Sequence, residues 1–172
     1  MSDFDLDNYI SNTKDFPKKG ILFKDISPLL LNHHAMTKVI DIFATKALDL
    51  DVDLIAGIES RGFLFSTLLA SRLGIGSLMI RKPGKLPGDL IEKSYSLEYG
   101  QSKLSIQKSK NIANKKVIII DDLIATGGSL ACAESLINKA KAKVIGCFVL
   151  IELLELNGSN LIDSNIFSIK KY

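Results

Sequence analysis

The sequence predicts an α/β protein built on an open, mostly parallel sheet flanked by helices. Three observations predict it. Segments of strand character alternate with segments of helical period along most of the chain, the pattern of βα units rather than of a sandwich or a bundle. Val117-Ile118-Ile119-Ile120 is a β-branched run without polar alternation, as a strand covered on both faces requires. With 47% hydrophobic and 24% charged residues, the 172-residue chain has enough apolar surface for one core, which rules out disorder over most of its length.

The first 25 or so residues fit the alternation least well and predict a small separate cap. His33 and His34 read as exposed loop residues in a turn before the first helix, because nothing near them completes a metal site. Met36, Val39, Ile40, Phe43, Ala44, Ala47 and Leu48 recur at i, i+3, i+4 and predict an amphipathic helix over 36–48. Val52 to Ile58 reads as a strand, Phe63 to Leu73 as a helix and Ile75 to Ile80 as the next strand. An interval rich in Gly, Pro and Lys comes next, and polar alternation around Lys103 to Gln107 predicts a β-ribbon arm. Beyond the central strand, Gly127-Gly128 opens a helix carrying Ala133, Leu136, Ile137 and Ala140, and Val144 to Ile151 and Ile166 to Ile169 are the last strands. No repeat and no Gly/Ser-rich linker interrupts the chain. A single domain over 1–172 is expected, with about 1–30 forming a hood.

Charge and composition narrow the function classes. Lys and Arg exceed Asp and Glu by only three, spread along the chain, so bulk charge gives no support to nucleic-acid binding. No apolar run reaches the roughly 18 residues of a membrane span, and the acidic N-terminus lacks a secretory h-region. Cys132 and Cys147 sit in apolar surroundings without metal-ligand or disulfide spacing and read as small buried hydrophobes. A soluble protein of a reducing cytoplasm is expected, without nucleic-acid or membrane partners.

Chemistry concentrates in Val117 to Ser129. Ligands of open α/β sheets bind outside the carboxyl ends of strands, where the buried strand delivers Asp121 and Asp122. Ala125-Thr126-Gly127-Gly128-Ser129 then turns into a helix, with small residues that let backbone N–H groups approach an anion at the helix N-terminus. Thr126 and Ser129 add hydroxyl donors, whereas the carboxylates suit sugar hydroxyls or a hydrated Mg²⁺ and repel phosphate. Taken alone, Gly-Gly-Ser would be an ordinary turn. A carboxylate pair beside a phosphate nest points instead to a phosphorylated sugar.

This segment resembles the phosphoribosyl diphosphate (PRPP) signature of the type I phosphoribosyltransferases. From about Phe16 to Tyr172 the chain is similar to the members of that family that act on adenine. FPKKGILFKDISPLL (Phe16 to Leu30), IESRGFLF (Ile58 to Phe65), RKPGKLPG (Arg81 to Gly88) and SYSLEYGQSKLSIQK (Ser94 to Lys108) carry the resemblance, in the family's order. It implies that fold, with a small N-terminal hood and a flexible lid loop. It also implies a reaction in which adenine and PRPP give AMP and diphosphate with Mg²⁺ required, the metal being carried by PRPP and water with no direct protein ligand. A homodimer is implied as well.

Site residues are assigned from matching positions. PRPP is assigned to Asp121, Asp122, Ala125, Thr126, Gly127, Gly128 and Ser129, to the diphosphate loop Glu59-Ser60-Arg61, and to Arg81, Lys82 and Lys85. The family often has a non-proline cis peptide in that loop, here Glu59-Ser60. Fixed cations suit a departing diphosphate, so Arg61 and Lys85 are also expected to be catalytic, while Arg81 and Lys82 fit an exposed basic turn equally well. Glu98 is the implied catalytic glutamate, as base, acid or positioning group, and Tyr99 its neighbour in the lid. Adenine is assigned to Leu22, Phe23, Lys24 and Leu123, by ring stacking and main-chain groups, although Leu22 and Phe23 would also staple the cap to the core. The chain departs from the family pattern in two places: Lys24 is usually arginine, and the five residues Asp89-Leu90-Ile91-Glu92-Lys93 replace the usual continuation after Gly88.

Two rival readings remain. A 6-oxopurine enzyme would need a cap of reversed hydrogen-bond polarity, against which the Phe16 to Leu30 block argues. A PRPP-sensing DNA-binding regulator would carry an extra N-terminal DNA-binding domain, and about 15 residues before the first matching block, no recognition-helix pattern and a modest charge make it the weaker expectation.

Overall fold

A computed structural model describes residues 4–97, 100–108 and 112–172. The chain divides into two compact units, Met1–Ile42 and Phe43–Tyr172.

The first unit contains the antiparallel ribbon of β1 (Ser11–Lys14) and β2 (Leu22–Asp25), in the register Ser11 opposite Asp25. Its loop is closed locally: Asp15, at φ 59°, accepts the Gly20 amide through Oδ1 at 2.7 Å, and Gly20 has φ 89°. The Phe16-Pro17 peptide is cis, and Phe16 packs edge-on to Phe23 with ring centroids 5.0 Å apart. Asp25 Oδ1 then accepts both the amide (2.9 Å) and the hydroxyl (2.6 Å) of Ser27, starting the short α1 (Ser27–Leu30). Leu6, Ile26 and Leu29 are buried.

Helix α2 (His33–Ala47) begins in this unit and ends in the second. Here the sequence reading is corrected, because His33 and His34 are the first two residues of the helix rather than part of a turn before it. Asn32 is the reason: its side-chain oxygen accepts the Ala35 amide at 3.0 Å, an N-cap that starts the helix ahead of the apolar period.

The second unit holds five parallel strands: β3 (Leu54–Ile58), β4 (Gly76–Ile80), β7 (Lys116–Ile124), β8 (Lys143–Glu152) and β9 (Ile166–Lys171), in the order β4-β3-β7-β8-β9. Helix α3 (Gly62–Leu73) joins β3 to β4, and α4 (Gly128–Lys139) joins β7 to β8. The expected ribbon arm is β5 (Leu90–Leu97) paired antiparallel with β6 (Gly100–Gln107). Paired main-chain bonds between Arg81 and Ser105, 2.9 and 2.8 Å long, attach it beyond the end of β4.

Val117 to Ile120 have no solvent exposure, as the unbroken β-branched run predicts. Alternate residues serve opposite faces. Val117 and Ile119 join Ala56, Ile58, Cys147 and Val149 in a core with Ala133, Leu136 and Ile137 of α4. Phe148 packs with Phe43 and Phe167, and Phe43 with Phe65 of α3. Each isoleucine so buried stabilises the fold by about 1.5–3 kcal/mol, which makes β7 a rigid platform for the loop at its carboxyl end.

The strand order creates the crevice. From β3 the chain turns outward to β4, and from β7 it turns outward the other way to β8, so the connections diverge between these central neighbours. Pairing of β3 with β7 stops at Gly57 opposite Ile120, while β7 continues alongside β8 to Ile124. Asp121 and Asp122 therefore stand just past the last β3 rung, at the mouth of the crevice.

Candidate active site

Two loops from the ends of β3 and β7 build the site. The first, Glu59 to Arg61, has a cis Glu59-Ser60 peptide, as the resemblance implied. At its end Gly62 lies so close to β7 that a Cβ would come 2.6 Å from the Ile120 carbonyl oxygen and 3.1 Å from Asp121 Oδ1. This approach brings Arg61 to the carboxylates, with Arg61 Nε 2.9 Å from Asp122 Oδ2. The contact is ionic rather than an aligned hydrogen bond, so Oδ2 is buried without a hydrogen-bond donor.

The carboxylate pair is electrostatically loaded. Burial and the neighbouring Asp122 charge push Asp121 well above the ordinary carboxylate range. Burial also raises Asp122, opposed by the Arg61 guanidinium, so Asp122 is the member better able to stay charged. The Asp122 amide donates to Asp121 Oδ1 at 2.9 Å and fixes that side chain.

The second loop continues directly from the pair. Asp121, Leu123, Ala125, Thr126, Gly127, Gly128 and Ser129 line a cavity of about 100 Å³. Gly127 has φ 80°, which turns the chain into α4. Its back is filled by another turn, since a Cβ on Gly127 would overlap the Gly158 carbonyl oxygen and one on Gly158 would overlap that of Ala125. Sequence reading missed Gly158: an Asn-Gly pair signals a turn and says nothing about what the turn touches.

The basic residues divide. Glu59 Oε2 accepts from Arg81 Nε at 3.2 Å and from the Lys82 amide at 2.9 Å. Although burial acts against it, the Lys82 amide and the Arg81 guanidinium hold the Glu59 carboxyl below its usual range. Arg81 also donates to the Lys85 carbonyl at 3.0 Å, so one carboxylate organises the route from the β3 loop into the Gly84–Gly88 segment. The side chains of Lys82 and Lys85 are exposed. Ser60 sits exposed between Glu59 and Arg61.

Leu22, Phe23 and Lys24 lie on β2 of the first unit, with Leu22 exposed and Lys24 buried. Leu123 lines the cavity of the second unit. Glu98 and Tyr99 lie outside the described residues. Both cysteines are buried free thiols, and burial pushes Cys147 up to about 12.

Among the described residues no helix is long and apolar enough to cross a membrane. Nor does any group of three or more His, Cys, Asp or Glu offer a metal cage.

Known proteins resemble this chain along most of its length. Residues 29–168 match the phosphoribosyl transferase domain family. Adenine phosphoribosyltransferases of Gluconobacter oxydans and Malacoplasma penetrans are each 46% identical over 98% of this chain, covering 94% and 98% of their own lengths. Among solved structures, the Saccharomyces cerevisiae adenine phosphoribosyltransferase, in complex with adenine and an imino-altritol bisphosphate, superposes with a TM-score of 0.93 at 38% identity over 96% of both chains. The enzyme from Thermoanaerobacter pseudethanolicus gives 0.94 at 40% identity, covering 97% of this chain and 98% of its own. With nearly half of the positions shared along almost the whole length and the same fold beneath them, the chain belongs to the adenine phosphoribosyltransferase family.

Proposed function

We propose that this protein transfers the 5-phosphoribosyl group of PRPP to adenine, giving AMP and diphosphate in purine salvage. One arrangement carries the reading: the carboxylates at the end of the central strand lead without interruption into a main-chain anion cradle. The amides of Ala125 to Ser129, with the Thr126 and Ser129 hydroxyls, take the 5-phosphate. Asp121 and Asp122 accept from ribose hydroxyls.

Cleavage of the anomeric C–O bond leaves negative charge on the diphosphate, and fixed cations must already face it. Arg61, Arg81, Lys82 and Lys85 supply them around the Glu59-Ser60 turn, with Glu59 acting through Arg81 and Lys82. Adenine loses its N9 proton as the new C–N bond forms, and Glu98 handles protons on the ring beneath a lid that includes Tyr99 and keeps water from the activated sugar. Leu22, Phe23 and Lys24 carry base recognition, and Leu123 adds an apolar wall to the cavity.

Hard oxygen donors and a buried Asp122 oxygen without a hydrogen-bond donor fit a hydrated Mg²⁺ carried by the diphosphate, with Asp121 and Asp122 accepting from its waters. When bound, Mg²⁺ neutralises charge on the departing diphosphate. A homodimer is part of the proposal, supported by Leu64 and Leu68, exposed one turn apart on α3, and by exposed Met79 on the neighbouring strand β4. The buried free thiols accord with a reducing cytoplasm.

The test is diphosphate release from PRPP and Mg²⁺ with adenine, hypoxanthine, guanine or no base. Adenine alone should support release, with AMP as co-product. Turnover with hypoxanthine in place of adenine would replace this reading with a 6-oxopurine enzyme, and PRPP binding without turnover would turn it into a sensor.

A further inference from the structure

A seam of side-chain contacts joins the ribbon arm to the helix behind the cradle. Ser129 Oγ donates to the Tyr95 hydroxyl at 3.2 Å, and one turn further on Cys132 Sγ donates to the Lys93 carbonyl at 3.3 Å. Ser129 and Cys132, three apart, share a face of α4, and Lys93 and Tyr95, two apart, share a side of β5. Tyr95 is half-buried against the core cluster that includes Leu130 and Ala133, so packing fixes its ring and delivers its hydroxyl to Ser129. A phenylalanine would pack as well there, so the fold alone gives no reason for the oxygen.

Two hydroxyls in contact use one of their two protons on each other. If Ser129 donates to Tyr95, Ser129 presents only lone pairs to the cavity it lines, and an anion there is repelled. If Tyr95 donates, the Ser129 proton turns toward the cavity. The phenol is the stronger acid of the two and a phosphate is an acceptor only, so an occupied cradle selects the second arrangement.

We propose that Tyr95 is a positioning residue for the phosphate of the substrate: its hydroxyl donates to Ser129 Oγ, which donates to a phosphate oxygen. Each bond in such a chain polarises the next, so Ser129 is a better donor with Tyr95 behind it than alone. The inference rests on the proposed reading of the cradle as a 5-phosphate site and extends that site to a residue of the arm, which belongs to a separate sheet.

The experiment is a double-mutant cycle on ribose 5-phosphate affinity, measured by calorimetry on the full chain. Y95F should weaken binding about three- to tenfold and S129A at least as much, while Y95F/S129A should bind within twofold of S129A. Adenine affinity should be unchanged in Y95F. Because the chain has no tryptophan, tyrosine absorbance is readable, and ribose 5-phosphate should give a near-ultraviolet difference spectrum that Y95F loses. Wild-type affinity in Y95F, or losses that multiply in the double variant, overturns the proposal. So does a wild-type protein that does not bind ribose 5-phosphate. Should Y95F melt well below wild type, the S129A background decides: a packing defect weakens binding there too, whereas a relay through Ser129 has nothing left to lose. AMP formation by wild type tests the functional reading separately, since non-additive phosphate binding without AMP keeps the relay and removes the reaction, and AMP formation with additive losses does the reverse.

Discussion

Arg61 and Asp122 come from the ends of two different strands and meet at 2.9 Å across the crevice between them. The contact ties the proposed diphosphate loop to the carboxylate proposed for the ribose, so the two halves of one substrate are received by groups that already touch. Arg61→Ala leaves the buried Asp122 carboxylate without its cation. Because Arg61 is about one-third exposed, the loss of stability should be about 1–2 kcal/mol, below the 3–5 kcal/mol of a fully buried pair. The fall in kcat/KM should be at least about a hundredfold, the scale of one lost donor to developing charge. Urea unfolding and AMP formation would measure the two.

The raised Asp121 makes a prediction with a sign. A carboxyl raised on folding favours the folded state most while it is protonated, so stability is lost as pH rises through the ordinary aspartate range toward the folded value. Asp121→Asn removes that loss. Its melting temperature at pH 7 should exceed wild type by roughly 2–6 °C, and the gap should shrink as pH falls below about 4. PRPP turnover should fall in the same variant, a stability gain at the expense of function. Melting curves from pH 3 to 8 would test the sign.

Glu59 predicts a split between substrates. With Glu59→Gln, Arg81 and the Lys82 amide lose their ionised acceptor, and KM for PRPP should rise about tenfold, the scale of a charge-assisted bond, while KM for adenine stays within twofold. Steady-state kinetics with each substrate varied would show it.

Gly127 and Gly158 should each refuse alanine, because either Cβ would overlap a backbone carbonyl that cannot swing aside. Losses of about 2–4 kcal/mol are expected, with ribose 5-phosphate binding abolished. Gly146→Ala is the control, since its nearest neighbours would be 3.6 Å away, and it should stay within about 1 kcal/mol of wild type. Chemical denaturation of the three variants would measure the difference.

Contiguity decided what could be read from the sequence. Val117 to Ser129 states its own case, because strand, carboxylates and cradle succeed one another and each local pattern agrees with the next. The ribbon arm was legible for the same reason, its alternation being a property of neighbours. Contacts between distant residues were not: Ser129 gives no sign of Tyr95, nor Gly127 of Gly158, and Glu59 reads as a loop acid until Arg81 is beside it. The division at Ile42 and Phe43 falls inside α2, where an unbroken helical period conceals it. Asn32 shows the smallest scale of the problem: one cap hydrogen bond decided whether two histidines belong to a loop or a helix.

The meeting of Gly127 and Gly158, main chain against main chain, bears on how this protein can be diversified in the laboratory. A library that randomises 125–129 and is screened only for expression should still return glycine at 127, because what is selected there is the absence of an atom. Variety will accumulate instead at Thr126, which is exposed. Altered acceptance of the proposed phosphate therefore has to be sought at Thr126 and Ser129 with Gly158 kept as it is, a constraint from outside the recognisable motif.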